Sequence, residues 1–323
     1  MGSRILPRKT RVFIDGEAGT TGLGIRQRLE ALPASCAIEC LKIHPGLRKD
    51  PEARFAMMEQ ADITVLCLPD DAAREAVALG EGSGTRFLDA STAHRVSKGW
   101  VYGLPELESG QAGRIRHARH VSNPGCYATG AIALLRPLVQ AGVLPAEAAV
   151  SINAVSGYSG GGKKMIEAHA RDGGPAFKLY GLDLQHKHLP EITQYSGLAH
   201  QPLFVPSVGH FPQGMIVSIP LHLVHLPGCP SVSDLRRILQ EAYPDETPDG
   251  AESVVRVIHA EETGTELLAD SLAGDDRMEL RVHGRGGQAV LTARLDNLGK
   301  GASGAAVRNL LLMSGQTLPP LTG

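Results

Sequence analysis

Over the first ninety residues, short apolar runs alternate with segments of helical pattern. Arg11–Asp15 (RVFID) reads as a strand, followed by a glycine-rich loop and a helix through Ala31. Ile38–Ile43 reads as a second strand, Pro51–Gln60 as a helix, Ile63–Leu68 as a third strand, Asp70–Leu79 as a helix and Arg86–Asp89 as a fourth strand. Strands that alternate with helices form a parallel sheet covered on both faces. With right-handed crossovers this is an α/β domain, a doubly wound sheet of Rossmann type.

After residue 126 the pattern changes. A helix is expected from Tyr127 to Ala141 and a strand from Ala149 to Val155, with longer β stretches at Met215–Val224, Met278–His283 and Gln288–Asp296. Val217, Ile219, Leu221 and Leu223 alternate with other residues, as a sheet with one covered face requires. This describes an α+β domain on a mixed, largely antiparallel sheet, its face covered by helices or by a second subunit. Ala302–Met313 reads as a final helix that returns to the first domain.

Composition narrows the picture further. A chain of 323 residues suits two domains rather than one core. With 20% charged residues and a net charge of −2, nothing favours a nucleic-acid or membrane partner. The longest apolar stretches, Ile63–Leu68 and Met215–Ile219, are far short of a bilayer span. Met1–Thr10 is basic without an apolar core or cleavage site, so it reads as a floppy leader and not as a secretory signal. The cysteines at 36, 40, 67, 126 and 229 are scattered, which argues for free thiols in a reducing cytoplasm and against a metal site.

The first strand runs directly into Gly16-Glu17-Ala18-Gly19-Thr20-Thr21-Gly22. Glycines here allow a tight turn and let backbone N–H groups approach a pyrophosphate at the positive end of a helix. The spacing is G-x-x-G-x-x-G, and its weight comes from its place at the head of a βαβ series. The second strand ends Leu41-Lys42-Ile43-His44, and Arg48 and Lys49 follow. A cationic loop without a carboxylate suits the 2′-phosphate of NADP over the 2′-hydroxyl of NAD. The bland alternative is a solvated basic loop.

Ser122-Asn123-Pro124-Gly125-Cys126-Tyr127-Ala128-Thr129 joins a short β run, Arg119–Val121, to a strongly helical segment. Pro and Gly force a sharp turn and place Cys126 at the helix N-terminus, where unpaired N–H groups and the dipole favour a thiolate. The same N–H groups can hold an oxyanion on an attacked carbonyl. Cys67, inside an apolar strand, is by contrast an ordinary buried cysteine. A thiolate nucleophile needs an acid/base partner. The densest candidate segment is Tyr180–Ile192, where His186 and His188, two apart, share a strand face and Glu191 can orient one of them. Zinc is a competing use of these histidines, but no further ligands cluster at suitable spacing. His210, in Gly209-His210-Phe211-Pro212, is the reserve candidate.

Taken together, these segments resemble the N-acetyl-γ-glutamyl-phosphate reductases of arginine biosynthesis, in their shorter class. The matching stretches are Asp15–Gly22, Leu68–Asp71, Asp89–Arg95 (DASTAHR), Tyr102–Leu107 (YGLPEL) and Ser122–Thr129 (SNPGCYAT). Ser156–Lys163 (SGYSGGGK), His186–Ile192 and Asp296–Gly301 (DNLGKG) continue the match in one order over nearly the whole chain.

The resemblance implies an NADPH-binding Rossmann domain over residues 1–126, completed by a C-terminal helix within 300–323. It also implies a catalytic and oligomerisation domain over 127–299, shared with aspartate-semialdehyde dehydrogenases. Cys126 then attacks an acyl phosphate, with His186 in the family's acid/base position and His188 and Glu191 beside it. Arg95 falls where the superfamily holds the substrate's phosphate, which a guanidinium suits, and Asn123 and Tyr180 are placed at the substrate. Gly16, Gly19, Thr20, Thr21, Gly22, His44, Arg48, Ser91, Ser159, Gly160, Asn297 and Lys300 are placed at the cofactor. Ser156–Gly162 is expected as a glycine-rich loop, and Asn297, Gly299 and Lys300 are expected to close over the cofactor. A homodimer or homotetramer in the cytoplasm, acting on a small acyl phosphate, completes the expectation. A semialdehyde dehydrogenase acting on aspartyl phosphate or on carrier-bound aminoadipyl phosphate shares every one of these features. A non-catalytic NADP-binding regulator is the alternative from another class. The compact segment between the glycine loop and Asp89 differs from that of the longer class and leaves the 2′-phosphate ligands open, and Val205–His210 keeps His210 as an alternative acid/base.

Overall fold

The computed structural model describes residues 8–33, 36–246 and 252–316. Most of the expected N-terminal leader (1–7) and the last residues of the expected C-terminal segment (317–323) lie outside them. The chain divides into two compact units, the described residues within 8–103, 112–123 and 306–316, and those within 104–111 and 124–305.

The first unit is built on a six-stranded sheet of β1 (Thr10–Asp15), β2 (Ile38–Leu41), β3 (Ile63–Leu66), β4 (Arg86–Asp89), β5 (Val101–Tyr102) and β6 (His120–Ser122), in the order β2-β1-β3-β4-β6-β5. Every pairing in it is parallel. The connecting helices are α1 (Thr20–Glu30), α2 (Pro51–Gln60), α3 (Asp70–Leu79) and α4 (Gln111–His117). β3 is buried along its whole length, as a central parallel strand between two helical layers must be. Strands two and three end at Leu41 and Leu66, two residues before the apolar runs do. Ile43 and Leu68 instead pack against a core cluster from the loops that follow, so hydrophobicity overstates strand length where a loop also buries its side chains.

A helix from the far end of the sequence, α9 (Gly304–Met313), packs Ala306, Val307, Leu310 and Leu311 into the same core as Val12, Ile14, Ile63 and Val65. Arg86 then ties the carboxyl ends of α4 and α9 together. Its guanidinium donates to the carbonyls of Ala118 at 2.6 Å, Arg116 at 2.7 Å and Met313 at 2.5 Å. A planar cation suits the negative ends of two helices. Arg86→Ala removes the donor and leaves these carbonyls without it, so a loss of about 2–4 kcal/mol is expected. A urea titration followed by circular dichroism measures it, and an unchanged midpoint would mean that water replaces the guanidinium freely.

The second unit is a seven-stranded sheet in the order β11-β12-β13-β10-β7-β9-β8. Its strands are β7 (Ser151–Gly157), β8 (Phe177–Leu179), β9 (Leu203–Gly209), β10 (Met215–His222), β11 (Val255–Val257), β12 (Met278–Arg285) and β13 (Gln288–Leu295). Only β7/β9 and β11/β12 pair in parallel, so the sheet is mixed and largely antiparallel. On β10 the residues Met215, Val217, Ile219 and Leu221 are buried and those between them are not. They meet the apolar helix α5 (Cys126–Gln140), whose partner helices are α7 (Leu189–Ser196) and α8 (Val232–Ala242). α6 (Gly162–Asp172) follows β7.

Three local expectations are corrected. His186 and His188 do not share a strand face: His188 caps the start of α7, because Pro190 in its first turn nucleates a helix there. The stretch Ser156–Gly162 is not an open glycine loop but the end of β7, a 3₁₀ turn over Tyr158–Gly161 and the first residue of α6. The final α-helix starts at Gly304, after a π-turn over Gly299–Ser303.

Candidate active site

In the first unit the glycine turn bridges β1 and α1. Gly16 has φ +88°, and a Cβ there would stand 2.3 Å from the carbonyl oxygen of Cys67, at the end of β3. Gly22 is equally constrained, since its Cβ would fall 2.8 Å from the carbonyl of Gly16. Gly19 is the N-cap of α1, whose first turn holds no acidic residue, and Thr20 and Thr21 open the helix half-buried. A positive helix end with bare backbone, cradled by glycines that no side chain could replace, fits a pyrophosphate. Glu17, the one carboxylate in the turn, is ion-paired with Arg26. His44 accepts the N–H of Gly46 through Nδ1 at 3.2 Å, and it, Lys42, Arg48 and Lys49 are all exposed.

At the carboxyl end of β4, buried Asp89 gathers three donors: the Ser91 amide and hydroxyl, each at 2.8 Å, and Nδ1 of His94 at 2.6 Å. His94 in turn stacks on Trp100 at 4.1 Å. This network spends the Ser91 hydroxyl hydrogen inside the protein. Arg95, only 7% exposed, donates from Nε to the carbonyl of Asn123 at 3.0 Å. The Asn123 side chain accepts from Asn309 of α9 at 3.0 Å. Arg95 and Asn123 therefore stand together, on the strand end that leads into the cysteine turn.

In the second unit Gly125 is the N-cap of α5 and Cys126 its first residue, half-buried. With no side chain at the cap, the first-turn N–H groups and the helix dipole point at the sulfur. Two features hold this elbow. Glu191 of α7, 1% exposed, accepts the N–H of Gly125 at 3.1 Å. Gly301 brings its backbone so near that a Cβ would lie 2.8 Å from the Cβ of Cys126. Gly301 is a residue that sequence reasoning passed over within DNLGKG, because the neighbour that requires a glycine there is 175 positions away in the chain (~175, the span a crossover between units of this size allows).

His186 is half-buried and His188 is 4% exposed. The imidazoles meet edge to face at 4.7 Å, and Nδ1 of His186 accepts the backbone N–H of His188 at 3.2 Å. Tyr180 reaches Nε2 of His186 at 3.5 Å. The structure thus gathers His186, His188 and Tyr180 around Tyr127, the residue after Cys126. His210 belongs elsewhere: its Nδ1 lies 3.0 Å from Nδ1 of His169, and His169 stacks on Tyr158. Asn297 is a tie within the sheet unit, accepting from Gly214 N–H at 2.9 Å and donating to Ser159 Oγ at 2.9 Å. Gly160 stands in the same turn, and Lys300, 2% exposed, pairs with Glu106 at 2.7 Å. All five cysteines are free thiols, and among the described residues no group of three or more metal-binding side chains converges. No described helix is long and apolar enough to cross a membrane.

A parallel dinucleotide-type unit joined to a mixed-sheet unit with a cysteine on a helix N-terminus defines the semialdehyde dehydrogenase class. Residues 16–114 match the NAD binding domain of semialdehyde dehydrogenases, and residues 126–297 match their dimerisation domain. A solved structure of aspartate semialdehyde dehydrogenase II from Vibrio cholerae superposes with a TM-score of 0.68, covering 96% of this chain and 100% of its own at 14% identity. The chain belongs to the N-acetyl-gamma-glutamyl-phosphate reductase family. It is 51% identical to N-acetyl-gamma-glutamyl-phosphate reductase 2 of Pseudomonas putida, covering 94% of this chain and 96% of that one. It is 49% identical to the reductase of Brucella ovis, covering 95% and 100%.

Proposed function

We propose that the protein reduces N-acetyl-γ-glutamyl phosphate to N-acetylglutamate 5-semialdehyde and phosphate with NADPH, through a thioester on Cys126, as a step of arginine biosynthesis. The observation that carries this reading is Cys126 at the first position of α5, behind a glycine cap that Glu191 fastens. The thiolate adds to the acyl carbon, the C–S bond forms, and the C–O bond to phosphate breaks. The first-turn N–H groups of α5 hold the oxyanion of that addition. Arg95, anchored by Asn123, receives the phosphate dianion.

NADPH, bound through the α1 turn with His44 and Arg48 near its 2′-phosphate, supplies the hydride for the thioester carbon. His186 gives a proton to the oxygen of the resulting Cys126 thiohemiacetal and takes it back as the C–S bond breaks and the aldehyde leaves. Glu191 and His188 keep the elbow and the imidazole in place, and Tyr180 lies at the substrate's end of this group. Thr20, Thr21, Ser91, Ser159, Gly160, Asn297 and Lys300 belong to the walls of the cofactor site. In the domain division that goes with this reading, residues 1–126 with the C-terminal helix bind the cofactor and residues 127–299 carry catalysis and assembly. The protein works as a cytoplasmic homodimer or homotetramer.

A reverse assay tests the reading. With N-acetylglutamate 5-semialdehyde, phosphate and NADP, NADPH is expected to form and its absorbance to rise. Aspartate semialdehyde is expected to give less than about one hundredth of that rate, the discrimination expected from a site that pairs the N-acetyl group. Turnover of aspartate semialdehyde alone would reject this substrate. NADPH binding without turnover of any acyl phosphate would make the protein a regulator.

A further inference from the structure

Around His186 the available hydrogens can be counted one at a time. Tyr127, 2% exposed, donates its hydroxyl hydrogen to the carbonyl of Ser207 on β9 at 2.8 Å. Its oxygen is then an acceptor toward Tyr180, whose hydroxyl donates to it at 3.3 Å. Each phenol has one hydrogen, so the Tyr180 oxygen has only lone pairs to offer where it faces Nε2 of His186 at 3.5 Å. On the other side of the ring, Nδ1 lies 3.2 Å from the amide N–H of His188, which can only donate. Both neighbours require the same imidazole: bare at Nδ1 and protonated at Nε2. Burial pushes the Tyr180 phenol up to about 12 and the Tyr127 phenol higher still, so both stay protonated donors near neutrality. Tyr127 and Phe204 hold the ring edge-on from two sides, at 5.8 and 5.0 Å.

We propose that Tyr127 is a positioning residue, which acts through Tyr180 to hold neutral His186 as the Nε2–H tautomer. The proton that His186 gives to the thiohemiacetal oxygen then comes from Nε2. The inference rests on the functional reading above only for the use of that proton. The chain of hydrogen bonds starts one residue after the nucleophile and ends on a main-chain carbonyl, so the helix that presents the sulfur also sets the state of the acid.

The test uses the full chain with NADP bound and histidine labelled with nitrogen-15. Long-range proton–nitrogen spectra of the wild type are expected to show His186 bare at Nδ1 and protonated at Nε2. In Tyr127→Phe, Tyr180 loses its acceptor and its hydrogen can turn to Nε2, so a mixture of tautomers is expected. The same variant should lose about tenfold in kcat with KM within about twofold, a fraction of what a general acid contributes. Tyr180→Phe should do likewise, and the double variant should be no slower than the worse single one, since both act on one chain. If Tyr127→Phe does not fold, Tyr180→Phe with the tautomer readout still decides. A wild-type Nδ1–H tautomer, a tautomer unchanged in both variants, or additive losses in the double variant would overturn the proposal. If the wild type turns over no acyl phosphate, the functional reading fails, while the tautomer spectra still answer this question.

Discussion

Replacing Cys126 by serine is expected to lower reductase turnover by roughly a thousandfold or more, the scale seen when a covalent nucleophile is removed. Serine is nearly the same size and occupies the first position of α5 without strain, so folding and NADPH binding are expected to persist. The sulfur is needed because it ionises near neutral pH when a helix N-terminus faces it, and a hydroxyl does not. Site-resolved mass spectrometry after brief iodoacetamide treatment gives the complementary result. Cys126 is expected to react early and to be protected by the acyl phosphate. Cys67 is the internal contrast, since burial pushes its thiol far up, with Asp89 and Asp15 adding to the effect. Cys40 is shifted the same way by burial. Exposed Cys229 will label as well, which is why the modification has to be located and not merely counted. A serine variant that kept its turnover would end the thioester mechanism.

Gly16→Ala is expected to weaken NADPH binding by about a hundredfold, equivalent to about 2.8 kcal/mol. The added methyl meets the carbonyl of Cys67 at 2.3 Å in a backbone conformation, φ +88°, that alanine rarely adopts. Relief requires the turn to move away from β3, and that motion displaces the N–H groups at the start of α1. Fluorescence titration with NADPH measures the loss. An affinity within about threefold of wild type, or less than 1 kcal/mol, would mean that the pyrophosphate is seated elsewhere. The acylation half-reaction should suffer far less, because the Cys126 elbow is held by Glu191 and Gly301 in the other unit.

Elements whose causes are local were legible in the sequence. α2 and α3 span Pro51–Gln60 and Asp70–Leu79 in both sequence and structure, because Pro51 and an Asp50 cap start one and Gly80 ends the other. The same holds for the turn that puts Cys126 at a helix N-terminus, which Pro124 and Gly125 impose on their own neighbours. α8 was equally open to reading, since Ser231 and Asp234 form a capping box. β8 was not: three exposed residues carry no alternation, and only pairing with β9 makes them a strand.

The amino-acid order by itself determined the parallel first sheet, the mixed second one, the glycine turn and the cysteine elbow. Each of these follows from periodicity or from the φ preferences of adjacent residues. Tertiary structure alone decided that Glu191 fastens Gly125, that Gly301 must lack a side chain because Cys126 is there, and that Tyr127 hands its hydrogen to Ser207. It also moved His186 and His188 from a strand face to the approach of α7 and paired His210 with His169. Hydrogen bonds and close approaches of this kind join residues far apart in the chain. No local preference encodes them; they exist only once two surfaces have packed.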